Sequence, residues 1–180
     1  MAISYNVDKK QSQFTFKFIF RTLLVGILIG GGTALLIRLI AYKPILIDSV
    51  AMEPTLTAGK SYMMQTWVNP KNLILGDIVL CKLESGVIAS RILGKPGDRI
   101  RIDQKIIYRN GEALPSNLYP AIFKDERQSL PISFTERDTK EEIRIPEHQF
   151  FLIGDNRDES MDSRHLGSIP QDCVLGRISP

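Results

Sequence analysis

Asp77-Ile78-Val79-Leu80-Cys81-Lys82-Leu83-Glu84-Ser85-Gly86-Val87-Ile88-Ala89-Ser90-Arg91-Ile92-Leu93 decides the fold. Two runs rich in β-branched and apolar residues, Asp77 to Leu83 and Val87 to Leu93, flank a polar turn at Glu84-Ser85-Gly86. The stretch reads as a β-hairpin. Similar short runs recur outward from it: Ile45 to Ser49, Ser61 to Trp67, Arg99 to Asp103, Lys105 to Arg109, Gln149 to Ile153 and Cys173 to Ile178. Asn110-Gly111 ends one of them with a turn dipeptide. No segment after residue 43 carries a long helical period, so the expected fold class is mainly β. Residues 112–147 differ, being charged and interrupted by Pro115, Pro120, Pro131 and Pro146, and are expected to form an irregular excursion from the β core.

The N-terminal part is of another kind. Thr22 to Ile37 holds no charge, and with Phe18 to Phe20 and Leu39 to Ile40 the apolar stretch reaches about 23 residues, roughly 35 Å as a helix. That is enough to cross a bilayer core, with Arg21 and Arg38 near the ends where long side chains reach the headgroups. The expected organisation is a segment over 1–17, a transmembrane anchor over 18–41 and a β domain over 44–180. Lys9, Lys10, Lys17 and Arg21 precede the anchor, against Arg38 and Lys43 at its far end, so the positive-inside rule predicts a cytoplasmic N-terminus and an extracytoplasmic β domain. A cleaved leader fits less well, because Arg38 to Pro44 offers no small-x-small cleavage site. Gly30, Gly31 and Gly32 are read as tolerated in the helix, since lipid leaves the backbone no other way to bond.

Charge follows the same division. Residues 1–43 carry six Lys and Arg against one Asp, while 44–180 carry seventeen against nineteen acids, so the net +3 comes from the N-terminus. A nucleic-acid-binding domain needs a basic face on its folded part, and no nucleic-acid partner is expected. A hydrophobic fraction of 43% excludes both wholesale disorder and a polytopic membrane protein. Cys81 and Cys173 fall in a compartment where disulfides persist; Cys81 in its apolar run also reads as a small buried residue, and the sequence leaves the pairing open.

Three stretches carry more than propensity: Ser49-Val50-Ala51-Met52-Glu53-Pro54-Thr55-Leu56, Ser90-Arg91-Ile92-Leu93-Gly94-Lys95-Pro96-Gly97-Asp98, and Gly154-Asp155-Asn156-Arg157-Asp158-Glu159-Ser160-Met161-Asp162-Ser163-Arg164 followed by Gly167. With Gly76-Asp77-Ile78-Val79 between the first two, their order and spacing closely resemble the type I signal peptidases. The resemblance implies a β-barrel or sheet domain on a single transmembrane helix, in a protease that removes signal peptides from exported preproteins with a serine nucleophile and a lysine base. No metal or cofactor is implied. The family's nucleophile precedes the Met of the first stretch and its lysine precedes the Arg of the second. Here those positions are Ala51 and Ser90.

Both replacements remove chemistry. Acyl transfer needs an attacking atom, and a methyl group has neither lone pair nor transferable proton. A desolvated lysine can accept a proton near neutrality, whereas the Ser90 hydroxyl is scarcely basic and Arg91 stays protonated. The family usually has Pro-Ser-Gly-Ser before the Met, and this chain has Asp48-Ser49-Val50-Ala51, so several positions differ together, as in natural loss of catalysis and unlike a designed trap.

The resemblance assigns further roles. Ser49 matches an oxyanion-hole hydroxyl. Gly154, Asp155, Asn156, Arg157, Ser160, Asp162 and Arg164 match a supporting shell, in which the serine bonds the catalytic lysine, the residues at 162 and 164 pair, and the glycine lets backbone approach the site. Ile47, Met52, Leu56, Ile88 and Ala89, near Pro54, match the substrate groove, which takes an extended Ala-x-Ala-like segment by strand addition. The expected partners are signal peptides, the lipid bilayer and another membrane protein, at a plasma (inner) or thylakoid membrane. Two other readings stay open. One is an active peptidase using Ser49, which on an extended strand would lie roughly 6.5 Å from position 51, with Lys82, Lys95, His148 or His165 as base. The other is a membrane-anchored assembly platform.

Overall fold

The computed structural model describes residues 3–118, 120–121 and 138–180, in two compact units, 1–41 and 42–180. The first is one helix, α1, Ile3–Ala41. Its span Phe16–Ala41 has a mean hydropathy of 2.2 and is long and apolar enough to cross a membrane. Hydroxyls inside it turn back on the helix itself: Thr22 Oγ1 donates to Phe18 O and Thr33 Oγ1 to Gly30 O, each at 2.9 Å. Arg38 in the last turn complements the carbonyl end of the helix dipole.

The second unit is built from β1 (Tyr42–Ile47), β2 (Lys60–Gln65), β3 (Ile78–Leu83), β4 (Gly86–Gly94), β5 (Arg99–Asp103), β6 (Ile106–Arg109), β7 (Glu112–Ala113), β8 (Lys140–Arg144), β9 (Gln149–Ile153), β10 (Ile169–Pro170) and β11 (Val174–Ser179), with a short helix α2 (Ser163–Leu166). Seven strands form one sheet in the order β1-β2-β11-β3-β4-β9-β10, and four form another in the order β7-β6-β5-β8. The hairpin quoted first is present as β3 and β4, paired antiparallel from Ile78 opposite Arg91 to Leu83 opposite Gly86.

β3 sits at the centre, and its apolar run fills both faces. Ile78 and Leu80 pack with Ile47, Met52, Leu56 and Ala89, while Val79 and Cys81 pack with Leu73, Ile92, Phe150 and Leu152. Truncating Leu80 to alanine would cost about 2–5 kcal/mol at such a site. A register shift between Ile92 and Gly94 bends β4, and Leu93 enters a third cluster with Ile100, Ile107, Phe151 and Ile153 that joins the two sheets. Cys81 and Cys173, left open by the sequence, are joined in a disulfide with Cα atoms 4.8 Å apart.

Two expectations need adjustment. β1 begins at Tyr42, directly after α1, and ends at Ile47, so Ser49 is not on a strand. Much of the excursion expected over 112–147 lies outside the described residues, Pro131 included, but its described ends contain β7 and the strand β8. β8 pairs with β5, from Arg99 opposite Arg144 to Ile102 opposite Lys140.

Candidate functional site

Position 51 lies in a single 3-10 turn, Val50–Met52. Ser49 caps it: its Oγ accepts from Ala51 N at 3.1 Å. Ser49 itself has extended backbone (φ −90°, ψ 139°), but residues 50–52 turn, so Ser49 and Ala51 do not share a strand face as expected, and the Ser49 side chain folds forward onto the turn. Met52 is buried beneath, and Leu56 N donates to Met52 O at 2.9 Å. The turn lies against β4.

The chain after β9 grips this turn from a distance of more than a hundred residues. Asn156 N donates to Ala51 O at 3.0 Å and Asn156 Nδ2 to Val50 O at 3.1 Å. Asn156 is 1% exposed, and its Oδ1 is buried without a hydrogen-bond partner among the described residues. Gly154 makes the approach fit: a Cβ there would fall 2.5 Å from Ser160 Cβ, closer still to its Oγ, and 2.6 Å from Ala51 O.

Two buried ion pairs hold the surrounding shell. Asp162 and Arg164, both with side chains 0% exposed, bond through Nε at 2.9 Å and Nη2 at 2.9 Å. The Asp162 carboxylate also accepts from Ser160 Oγ at 2.8 Å and Gly154 N at 2.9 Å, and caps α2. Burial by itself would raise the Asp162 pKa, but the Arg164 guanidinium, with Gly154 N and Ser160 Oγ, outweighs it and holds the carboxyl below the ordinary aspartate value. Ser160 thus spends its proton on Asp162. The second pair is Asp155 with Arg91, bidentate at 2.9 and 2.6 Å. That pair ties the second sequence stretch to the third, and Arg91 Nη1 donates to Gly76 O at 2.8 Å, adding the Gly76 segment. Arg157 is 2% exposed in the same turn.

Ser90, 1% exposed, stands opposite Val79 in the β3–β4 register. Of the five groove positions, Ile47, Met52, Leu56 and Ala89 meet in one apolar cluster. Ile88 does not join them; opposite Cys81, it packs on the other face of β4 with the cluster of Val79 and Ile92. The alternative bases are dispersed. Lys82 is exposed at the hairpin end opposite Val87, Lys95 Nζ donates to Leu73 O at 2.7 Å, His148 lines a surface cleft with Pro70 and Gln171, and His165 is exposed on α2.

Sequence reasoning passed over two residues here. Thr55 Oγ1 donates to Asp155 Oδ2 at 2.5 Å, joining the first stretch to the third; a hydroxyl one turn past Ala51 was the available signal. Lys140 Nζ donates to Arg164 O at 2.8 Å, and nothing local in a charged run announces that. Among the described residues no group of three or more His, Cys, Asp or Glu is placed to hold a metal ion.

The family model described as signal peptidase, peptidase S26, matches residues 19–180. The chain is similar to signal peptidase I T of Bacillus subtilis (strain 168), 35% identical over 79% of this chain and 75% of that one. It is similar also to signal peptidase I of Bacillus licheniformis, 30% identical over 95% of this chain and 89% of that one. A crystal structure of a signal peptidase I from Enterococcus faecalis V583 matches 60% of this chain and 97% of its own, at 25% identity and a TM-score of 0.45.

Proposed function

The chain belongs to the signal peptidase family, peptidase S26, and we propose that it is a member that binds signal peptides through its groove without cutting them. The observation that carries this reading is Ala51 and Ser90 standing at the two positions where the resemblance places nucleophile and base. Neither side chain can do the work of the group it replaces: one cannot attack a carbonyl, the other cannot take up a proton near neutrality. The candidate substitutes are bonded to backbone or exposed. Ser49 Oγ is turned onto Ala51 N, the Lys95 ammonium is bound to Leu73 O, and Lys82 faces solvent.

Binding needs less than cutting. Among the described residues β4 pairs with β9 only from Arg91 onward, so Gly86 to Ser90 keep one open edge, and β1 is the outermost strand of its sheet. Ile47 at the end of β1 and Ala89 on β4 share one apolar cluster. An extended segment with small side chains can add to such an edge through backbone hydrogen bonds, which require neither a nucleophile at position 51 nor a base at position 90. The anchor crosses the membrane with its N-terminus cytoplasmic, and the β domain works outside, at a plasma (inner) or thylakoid membrane. There it presents bound segments to, or docks on, another membrane protein.

The test uses full-length detergent-solubilised protein with a preprotein bearing an Ala-x-Ala site. The parent chain is expected to leave the preprotein intact and to bind the corresponding peptide, and the Ala51→Ser, Ser90→Lys double variant to cleave it. Efficient cleavage by the parent would overturn the inactive reading, and absence of peptide binding would leave only the docking role.

A further inference from the structure

The disulfide between Cys81 on β3 and Cys173, just before β11, closes a separation of 92 residues. Both sulfurs are enclosed: Cys81 is 0% and Cys173 8% exposed, within the cluster of Leu73, Val79, Ile92 and Phe150. A folded but reduced domain would keep both thiols out of reach of a macromolecular oxidant. The bond therefore forms while the chain is open. The topology narrows the moment further, because β11 inserts between β2 and β3, pairing Val174 with Cys81 itself. Joining the sulfurs and seating that strand bring the same two segments together.

We infer that this β domain is a client of a thiol–disulfide oxidoreductase facing the same compartment, and that oxidation of Cys81 and Cys173 is a maturation step preceding closure of the sheet. The thiolate of one cysteine attacks the oxidoreductase disulfide, forming a mixed disulfide and releasing one enzyme thiolate. The second cysteine's thiolate then attacks the substrate sulfur of the mixed disulfide. The Cys81–Cys173 bond forms, and the oxidoreductase leaves as a dithiol carrying the two electrons and two protons. Such exchange belongs to oxidising compartments, so the step also commits the β domain to the non-cytosolic side of its membrane. None of this depends on peptide binding or cleavage.

The experiment is a pulse-chase of the full chain in its membrane, quenched with acid and alkylated by a mass-adding maleimide, in cells with and without their extracytoplasmic oxidoreductase. With the enzyme, the mature chain is expected to take no tag before reduction and two after it, one for each cysteine. Without it, most of the chain is expected to carry both tags and to be degraded several-fold faster, and external oxidised glutathione to restore the untagged form. The Cys173→Ala variant, folded or not, is expected to accumulate a reductant-sensitive adduct through Cys81 that the Cys81→Ala, Cys173→Ala variant lacks. Oxidation at an unchanged rate without the oxidoreductase, or two free thiols in the mature chain of normal cells, would overturn the inference.

Discussion

Gly154→Ala tests whether the turn carrying Ala51 is packed as tightly as its geometry requires. The new methyl would lie 2.5 Å from Ser160 Cβ and 2.6 Å from Ala51 O. Neither neighbour can yield cheaply. Ala51 O is fixed by Asn156 N at 3.0 Å, and Ser160 Oγ is fixed on the buried Asp162 carboxylate at 2.8 Å. Overpacking of this kind costs about 1–3 kcal/mol, and loss of a hydrogen bond to a charged group about 1.5–3 kcal/mol more. A total of roughly 2.5–6 kcal/mol is a large share of the stability of an ordinary domain. Gly59→Ala is the comparison: Gly59 has φ +80° with nothing within 4 Å of an added Cβ. Only backbone strain of about 1–2 kcal/mol applies there. Thermal unfolding of the full chain in micelles, followed by protease resistance, is expected to show Gly154→Ala melting well below Gly59→Ala. Equal shifts, or a Gly154→Ala change within about 0.5 kcal/mol, the scatter of neutral surface substitutions, would refute the close packing of residues 51, 154 and 160.

Other outcomes follow from the same contacts. Arg164→Gln strands the Asp162 carboxylate in the core and is expected to cost about 3–5 kcal/mol; Arg101→Gln breaks an ion pair 42% and 47% exposed and is expected to cost under about 1 kcal/mol, both read by denaturant unfolding. The Asp162 carboxyl titrates below its ordinary value of 3.8 when folded, so its contribution is complete above that value and lost as pH falls through the folded pKa; acid unfolding should be blunted in Asp162→Asn, which starts less stable at neutral pH. Asp98, where Arg109, Lys95 N and Asn110 together outweigh burial, adds loss in the same direction. Removing the disulfide as Cys81→Ala, Cys173→Ala frees a separation of 92 residues and is expected to cost about 4–5 kcal/mol on the chain-entropy account, with a melting point no longer sensitive to reductant.

Much of the fold was legible because strands with apolar runs announce themselves. Asp77 to Leu93, Arg99 to Asp103 and Gln149 to Ile153 were read within a residue of β3, β4, β5 and β9, since burial on one or both faces demands that composition. β8 was missed for the complementary reason. Lys140-Glu141-Glu142-Ile143-Arg144 is an edge strand with a single apolar residue, and it forms because β5 offers it an edge. Sheet order was beyond reach: that β11 enters between β2 and β3 is a matter of which distant edges meet. At the site, Asp162 and Arg164, both in the third motif stretch, form a buried pair, while Lys140, which donates to Arg164 O, lies in no motif stretch. The resemblance puts Ile88 and Ala89 on one groove, but adjacent strand residues point apart, and Ile88 faces away from Ala89. The Asn156 grip on Val50 and Ala51 spans more than a hundred residues of chain, a separation no local pattern encodes.

That grip rests on main-chain carbonyls and amides, joined by the side-chain atoms Ser49 Oγ and Asn156 Nδ2. The residue at position 51 contributes its peptide group to these bonds and no side-chain atom. The scaffold around position 51 is thus indifferent to the side chain it carries: exchanging that side chain removes none of these bonds.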